Sequence, residues 1–178
     1  KVATFSITNC LIADLLSKKI YKYITENLNI EQPIITDCTA CIGGNSMSFI
    51  RHFPATISIE KDRNTAVLLK KNLDLVNSKM NSGEKSFLYK VLDGSFLKTE
   101  TLKKIQEKSN ILFFDPPWCP DGVCKLDKSV KNMPVNSITL DNFTMDQIIL
   151  DVKSKKDNIK MAILKMPPNY DFEEFKTE

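Results

Sequence analysis

Arginine is almost missing from this chain: of 25 basic residues only Arg51 and Arg63 carry a guanidinium. Bidentate forks for phosphate oxygens or guanine edges are therefore scarce, and attraction to an anionic partner is the point-charge kind that lysine supplies. Acidic residues number 22, leaving a formal charge of +3, which permits a nucleic-acid partner without demanding one. No apolar run approaches the roughly 18 residues of a membrane span, and Lys1 to Cys10 lack the charged-then-apolar order of a secretory leader. The expected setting is intracellular and away from membranes, in nucleus or cytoplasm, or in a viral factory were the source a virus. Five cysteines, an odd number in a chain of this size, suit reduced thiols better than a disulfide scaffold. Fixed-period repeats and low-complexity tracts are absent. With 178 residues, 42% of them hydrophobic, there is material for one ordinary core and not comfortably for two. The chain is read as one domain over 1–178, with 1–30 as a helical lead-in.

What is present is an alternation. Ile12, Leu15, Leu16, Ile20, Tyr23 and Ile24 recur at spacings of three and four, predicting a helix over 12–28 that buries that face. Pro33 to Asp37 is a short β-branched run suited to a buried strand, and Gly43-Gly44-Asn45 turns the chain into a helix over Ser46 to His52. Thr56 to Glu60 repeats the strand, and 64–77 repeats the helix, expected to bury Val67, Leu68, Leu75 and Val76. After the turn signal Asn81-Ser82-Gly83 come a strand over Ser86 to Leu92 and a helix over Thr99 to Lys108. Asn110 to Phe114 reads as a strand buried on both faces. Thr144 to Lys155 is helical, and Met161 to Leu164 is a fifth strand. Such an order predicts an α/β domain, a parallel sheet with helices on both faces. Trp118 to Asn142 has no periodicity and follows a strand's carboxyl end, the edge where such sheets bind ligands.

Chemistry concentrates at that edge. Asp37-Cys38-Thr39-Ala40-Cys41-Ile42-Gly43-Gly44-Asn45 closes the first strand; its small residues let a ligand approach the backbone, and the helix beginning there aims N–H groups toward it. Glu60 ends the second strand, at about the 20-residue spacing from which a carboxylate accepts both hydroxyls of a ribose. Alone, this pairing is equally a plain strand-turn-helix. The loop lacks the G-x-G-x-x-G spacing that cradles a pyrophosphate, so a ligand with ribose but no phosphate fits better, and S-adenosylmethionine is a common one. Asp93, ending the third strand, is placed to accept from an adenine amino group, or is a solvated turn carboxylate before Gly94.

The segment Phe114-Asp115-Pro116-Pro117-Trp118 is the most informative. Two prolines after a buried strand stiffen the backbone and remove two donors, leaving the Asp115 carboxylate and the Pro116 carbonyl as acceptors only. An exocyclic amine on a base is a poor nucleophile because its lone pair is delocalised into the ring. Acceptors on its N–H groups localise that pair, and catalysis is then mainly alignment of nitrogen, methyl and sulfonium. Trp118 offers a stacking face, with a cation–π gain if the base is positively charged. The bland reading is a rigid turn whose tryptophan plugs the core.

Other features carry less. Cys38 and Cys41 form a C-x-x-C, and Cys119 with Cys124 would complete a zinc set. A metal there would occupy the proposed cofactor and base pockets, so no metal is expected and the thiols are read as small apolar loop residues. His52 sits at a helix end in a capping or solvated role, and Phe113-Phe114 is core. Lys153, Lys155, Lys156 and Lys160 form a basic cluster, a solvated face before it is a phosphate contact.

Taken together these residues resemble the class I S-adenosylmethionine-dependent methyltransferases with an Asp/Asn/Ser-Pro-Pro-aromatic motif, and within them the trimethylguanosine synthases that modify the guanine amino group of RNA caps. Phe5-Ser6-Ile7-Thr8 is similar to the Phe-Ser-Val-Thr before that family's first helix, Asp37 through Asn45 to its cofactor loop, and Asp115-Pro116-Pro117-Trp118 to its Ser-Pro-Pro-Trp. The resemblance implies a Rossmann-like fold, with Phe5, Thr8, Asp37, Thr39, Gly43, Asn45, Glu60 and Asp93 binding S-adenosylmethionine. It implies a catalytic corner of Asp115, Pro116, Pro117 and Trp118, with Asp115 holding the amine, Trp118 stacking on 7-methylguanine, and capped RNA or another nucleic acid as partner. The departures are Asp115 for serine, which is also the form in adenine N6 methyltransferases, Cys41 for the loop's first glycine, Asn9 for the proline after Thr8, and Cys119-Pro120-Asp121 for paired glycines. Adenine N6 on RNA or DNA therefore stands as the alternative to guanine N2. An inactive methyltransferase fold serving as a scaffold or RNA-binding subunit is a third reading, and a partner subunit is left open. The chain stops soon after the fifth strand, so a fragment lacking the fold's terminal strand pair is expected.

Overall fold

The computed structural model describes residues 7–80, 88–98, 101, 108–118, 138–155, 158–170, 172 and 175. Its elements run α1 (Cys10–Asn27), β1 (Ile34–Asp37), α2 (Ser46–His52), β2 (Ala55–Glu60), α3 (Arg63–Met80), β3 (Leu88–Asp93), β4 (Ile111–Phe114), β5 (Thr139–Leu140), β6 (Phe143–Thr144), α4 (Met145–Lys155) and β7 (Met161–Leu164). The predicted turn at Asn81-Ser82-Gly83 and the predicted helix over 99–108, apart from Thr101 and Lys108, lie outside the described residues. No helix among the described residues is long and apolar enough to cross a membrane.

Five strands pair in the order β3-β2-β1-β4-β7, every pair parallel. Chain order reverses between β1 and β4, which makes their carboxyl ends the switch point where open parallel sheets bind ligands. The short apolar strands are sandwiched. Ile111 and Phe113 pack with Ile35, Phe49, Ile20 and Ile24, while Leu112 and Phe114 pack with Ile57, Ile59, Met145, Ile148 and Val152. Alternation along one strand thus feeds two cores, with α1 and α2 over one face and α4 over the other. Leu69 and Leu73 of α3 join Ile50 of α2 on the first face.

Two helices turn partly away from their predicted faces, although Ile20 and Ile24 of α1 are buried and Leu16 packs beside them as predicted. In α1 the buried residues are Ala13, Ser17, Ile20 and Ile24, while Ile12, Leu15 and Tyr23 are exposed. Ser17 is the reason. Its hydroxyl meets that of Ser48 at 2.8 Å in a buried contact, and only small side chains let α1 approach α2 so closely. In α3, Thr65, Ala66, Leu69 and Leu73 turn inward and Val67, Leu68 and Leu75 stay exposed, with Val76 partly packed. The inward leucines lie under Gly43, where a Cβ would come within 2.9 Å of Leu69 Cδ1.

The stretch read as one loop to Asn142 ends instead in a hairpin, β5 against β6. Asp141 and Asn142 take φ of 50° and 71°, and two left-handed central residues match the right-handed twist of a two-residue hairpin. Asn9, which departs from the family pattern, caps α1 by accepting from the Leu11 N–H at 3.0 Å.

Candidate active site

Register brings the chemistry together. Asp37 pairs with Ser58 on one side and Phe113 on the other, Glu60 pairs with Asp93, and Phe114 with Leu164. Strands ending level with one another deliver Asp37, Glu60, Asp93, Asp115 and Lys165 to a single edge.

Asp37 is 1% exposed and carries the first loop. Its carboxylate accepts from Ser46 Oγ at 2.6 Å and from the Thr39 N–H at 3.4 Å, and Ser46 in turn accepts from Ser58 at 2.9 Å. Burial pushes this carboxyl up to about 7; the Ser46 bond opposes the shift, Asp115 adds to it, the Thr39 bond opposes it, and Glu60 adds to it. Thr39 links loop to corner, its hydroxyl accepting the Asp115 N–H at 2.8 Å. Gly43 has φ of 101°, a conformation that disfavours any side chain. A Cβ on Gly44 would lie 3.0 Å from the Thr8 nitrogen and 3.1 Å from Ile7 Cγ2, so the lead-in lies directly against the loop.

Asp115 is the hub. Its Oδ2 accepts from Lys165 Nζ at 2.6 Å, Asn45 Nδ2 at 3.0 Å and Thr8 Oγ1 at 3.4 Å. Pro116 is buried; Pro117 and Trp118 are exposed, Trp118 by 40%. The tryptophan does not plug the core. Its Nε1 donates to the Lys165 carbonyl at 3.2 Å, leaving ring surface open to a ligand. A cleft lined by Thr8, Thr39, Cys41, Gly44, Asn45 and Asp115 joins the corner to the first loop. A larger hollow of about 360 Å³ lies at the opposite edge, lined by Ile30, Lys108, Asn110 and Lys160. It has neither the glycine loop nor the acceptor corner, which both line the smaller cleft.

Of the residues expected from sequence, Thr8, Asp37, Thr39, Gly43, Asn45, Asp115, Pro116, Pro117 and Trp118 converge here. Glu60 and Asp93 stand along the same edge beside the loop. Glu60 accepts the Asp62 N–H at 2.9 Å, and Asp93 lies 3.9 Å from Arg63. Phe5, Cys119, Cys124 and Lys156 lie outside the described residues. Among the described residues Cys38 and Cys41 form no disulfide, and among the described residues no group of three or more His, Cys, Asp or Glu side chains is arranged to hold a metal. Cys41 takes φ of 49°, the left-handed conformation a glycine would adopt more easily, and burial raises its thiol. His52 turns toward Asp14, Nε2 to Oδ1 3.4 Å, beside the Arg51 ion pair and away from the cleft.

Lys165 is the site residue that sequence reasoning missed. Its signal was available: a lysine closing β7 directly beside a strand closed by an aspartate.

Residues 32–177 match the family of RNA cap guanine-N2 methyltransferases. An uncharacterised protein of Acanthamoeba polyphaga mimivirus is 28% identical over 160 residues, which cover 89% of this chain and 56% of that protein. The chain thus spans little more than half of that relative's length. Among solved structures, a putative methyltransferase from Porphyromonas gingivalis W83 superposes with a TM-score of 0.50 at 19% identity, over 65% of this chain and 25% of that one. That likeness concerns the fold, which is the Rossmann-like arrangement of class I methyltransferases.

Proposed function

The chain belongs to the RNA cap guanine-N2 methyltransferase family, and we propose that it transfers a methyl group from S-adenosylmethionine to the N2 amine of a 7-methylguanosine cap. The observation that carries the choice of base is the pairing of Asp115 with Lys165. Aspartate in place of serine by itself favours adenine. With the Lys165 ammonium 2.6 Å from its carboxylate, the corner has no net charge of its own, like the hydroxyl it replaces. It still offers oxygen acceptors to an NH2 group.

The groups lining the cleft suit the methionine end of the cofactor. Asn45 is buried and its Oδ1 has no hydrogen-bond partner among the described residues, an acceptor suited to a donor such as the ammonium of the methionine moiety. Gly44 lets the lead-in close over the same wall, since any Cβ there would collide with Thr8 and Ile7. Asn45, Thr39 and the Gly43-Gly44 backbone would hold the methionine end, Glu60 the ribose hydroxyls and Asp93 the adenine amine. Bound there, the cofactor supplies an electrophilic methyl on a sulfonium.

The chain's own residues do the rest. Asp115 and the Pro116 carbonyl accept from the two N–H bonds of the amine and localise its lone pair. Trp118 carries the base on its open face, where a cationic 7-methylguanine gains over a neutral base. Alignment then supplies most of the rate.

The deciding experiment offers labelled S-adenosylmethionine with either a 7-methylguanosine cap analogue or an adenine-containing oligonucleotide. Label on the N2 of the cap analogue is expected. Label on adenine alone overturns guanine in favour of adenine N6, and the absence of any thermal shift with S-adenosylhomocysteine would assign the chain a non-catalytic binding role.

A further inference from the structure

Lys165 touches both halves of the corner. Its ammonium donates to Asp115 Oδ2 at 2.6 Å and to Thr8 Oγ1 at 2.9 Å, and the Thr8 hydroxyl lies 3.4 Å from that same oxygen. With Asn45 as third donor, Oδ2 is fully engaged. Among the described residues nothing donates to Oδ1. The Lys165 amide donates to the Phe114 carbonyl at 2.8 Å, carrying the β4–β7 pairing up to the corner, and its carbonyl accepts the Trp118 indole N–H at 3.2 Å. The ammonium stands 5.6 Å from the centre of the Trp118 ring.

We propose that Lys165 is the positioning residue of the acceptor corner: its ammonium fixes Asp115 so that Oδ1 alone faces the amine, while its carbonyl fixes the indole that carries the base. This rests on the reading that Asp115 and Trp118 receive the substrate. A carboxylate without that clamp turns about its side-chain torsions and presents either oxygen, or neither, to the amine. Where rate comes from alignment, a displacement of about 1 Å lowers it roughly 100-fold. The side chains of Asp115 and Lys165 are 11% and 26% exposed, so removing the ammonium also strands a charge in a largely dry site. Lysine is therefore required because residue 115 is an aspartate. With a hydroxyl at 115 the ammonium has nothing to neutralise. The two positions act as one charge unit and are exchangeable together, not singly.

Lys165→Met, Asp115→Ser and the double variant form the test. Lys165→Met should lower kcat by about 100-fold. The indole anchor is backbone, so base affinity, read by quenching of Trp118 with 7-methylguanosine diphosphate, should stay within about threefold of wild type. Trp118 is the chain's only tryptophan, so the signal has one source. The double variant should recover at least about tenfold of the lost rate. Wild-type turnover in Lys165→Met, parallel loss of base affinity and rate, or a double variant no better than Lys165→Met would each overturn the proposal. If Lys165→Met does not fold, the double variant decides: folded and active supports the charge unit, folded and inactive refutes it. Should wild type label adenine and not the cap analogue, the choice of base fails separately and the same variants are read on adenine. A wild type that methylates neither refutes the corner and the role of Lys165 together.

Discussion

Asn45 gives its amide to Asp115 at 3.0 Å and keeps its own carbonyl oxygen buried with no donor among the described residues. The carboxylate accepts only, so it dictates which end of the amide faces it and leaves the other end turned to the remaining neighbours. One residue thereby braces the acceptor corner and holds an acceptor in reserve.

Asn45→Ala removes both functions. Hydrogen bonds to charged groups contribute about 1.5–3 kcal/mol, so S-adenosylhomocysteine affinity by calorimetry should fall at least about tenfold. Unchanged affinity would show that the buried oxygen does not meet the cofactor.

Trp118→Ala and Glu60→Ala should separate the two ligands. Base stacking on an aromatic ring contributes roughly 1–3 kcal/mol, so Trp118→Ala should weaken cap-analogue binding about tenfold or more and leave cofactor affinity nearly unchanged. Glu60→Ala should do the reverse. Equal loss of both affinities in both variants, measured by equilibrium binding, would contradict the division of the edge.

Asp37 makes stability depend on pH. Its carboxyl is raised from 3.8 to about 7 by burial, so the folded chain holds this proton more tightly than the unfolded chain. Its contribution is complete below about pH 4 and is lost as pH rises through about 7. Denaturant titrations should show wild type losing stability relative to Asp37→Asn between about pH 4 and 7, then levelling off. The ceiling is roughly 4 kcal/mol. A difference independent of pH would mean the carboxyl is not confined as described.

Cys41 is a non-glycine residue at φ of 49°. The left-handed conformation costs about 1–2 kcal/mol for such a residue, partly offset in a glycine variant by the entropy its unfolded chain gains. Cys41→Gly should therefore raise unfolding stability by up to about 1 kcal/mol, and Cys41→Val should lower it by more than 1 kcal/mol. The opposite order in thermal melts would show that loop contacts outweigh the backbone.

Much of the site was legible because it is local. Asp115-Pro116-Pro117-Trp118 follows a strand recognisable by its apolar run, and the Asp37 to Asn45 loop carries its own glycines. Helix α2 falls on the predicted residues because a glycine pair starts it and Phe53-Pro54 ends its reach. The faces of α1 and α3 were legible only in part, in Leu16, Ile20 and Ile24 of α1 and Val76 of α3. Each helix carries apolar residues around much of its circumference, and periodicity cannot tell which stripe meets a neighbour when the buried one contains Ser17 or Thr65. The β5–β6 hairpin was hidden because its strands have two residues each, too few to show a period.

Sequence alone determined which side chains end each strand and that a proline-stiffened aspartate precedes a tryptophan, because those features are written in consecutive residues. Only the tertiary structure decided that Lys165 faces Asp115, that Thr8 and Asn45 share its oxygen, and that the indole stays open to solvent. Those relations join residues 50, 107 and 70 positions apart, and the parallel register of β4 and β7, with the packing of the lead-in on Gly44, is what brings them within hydrogen-bond reach.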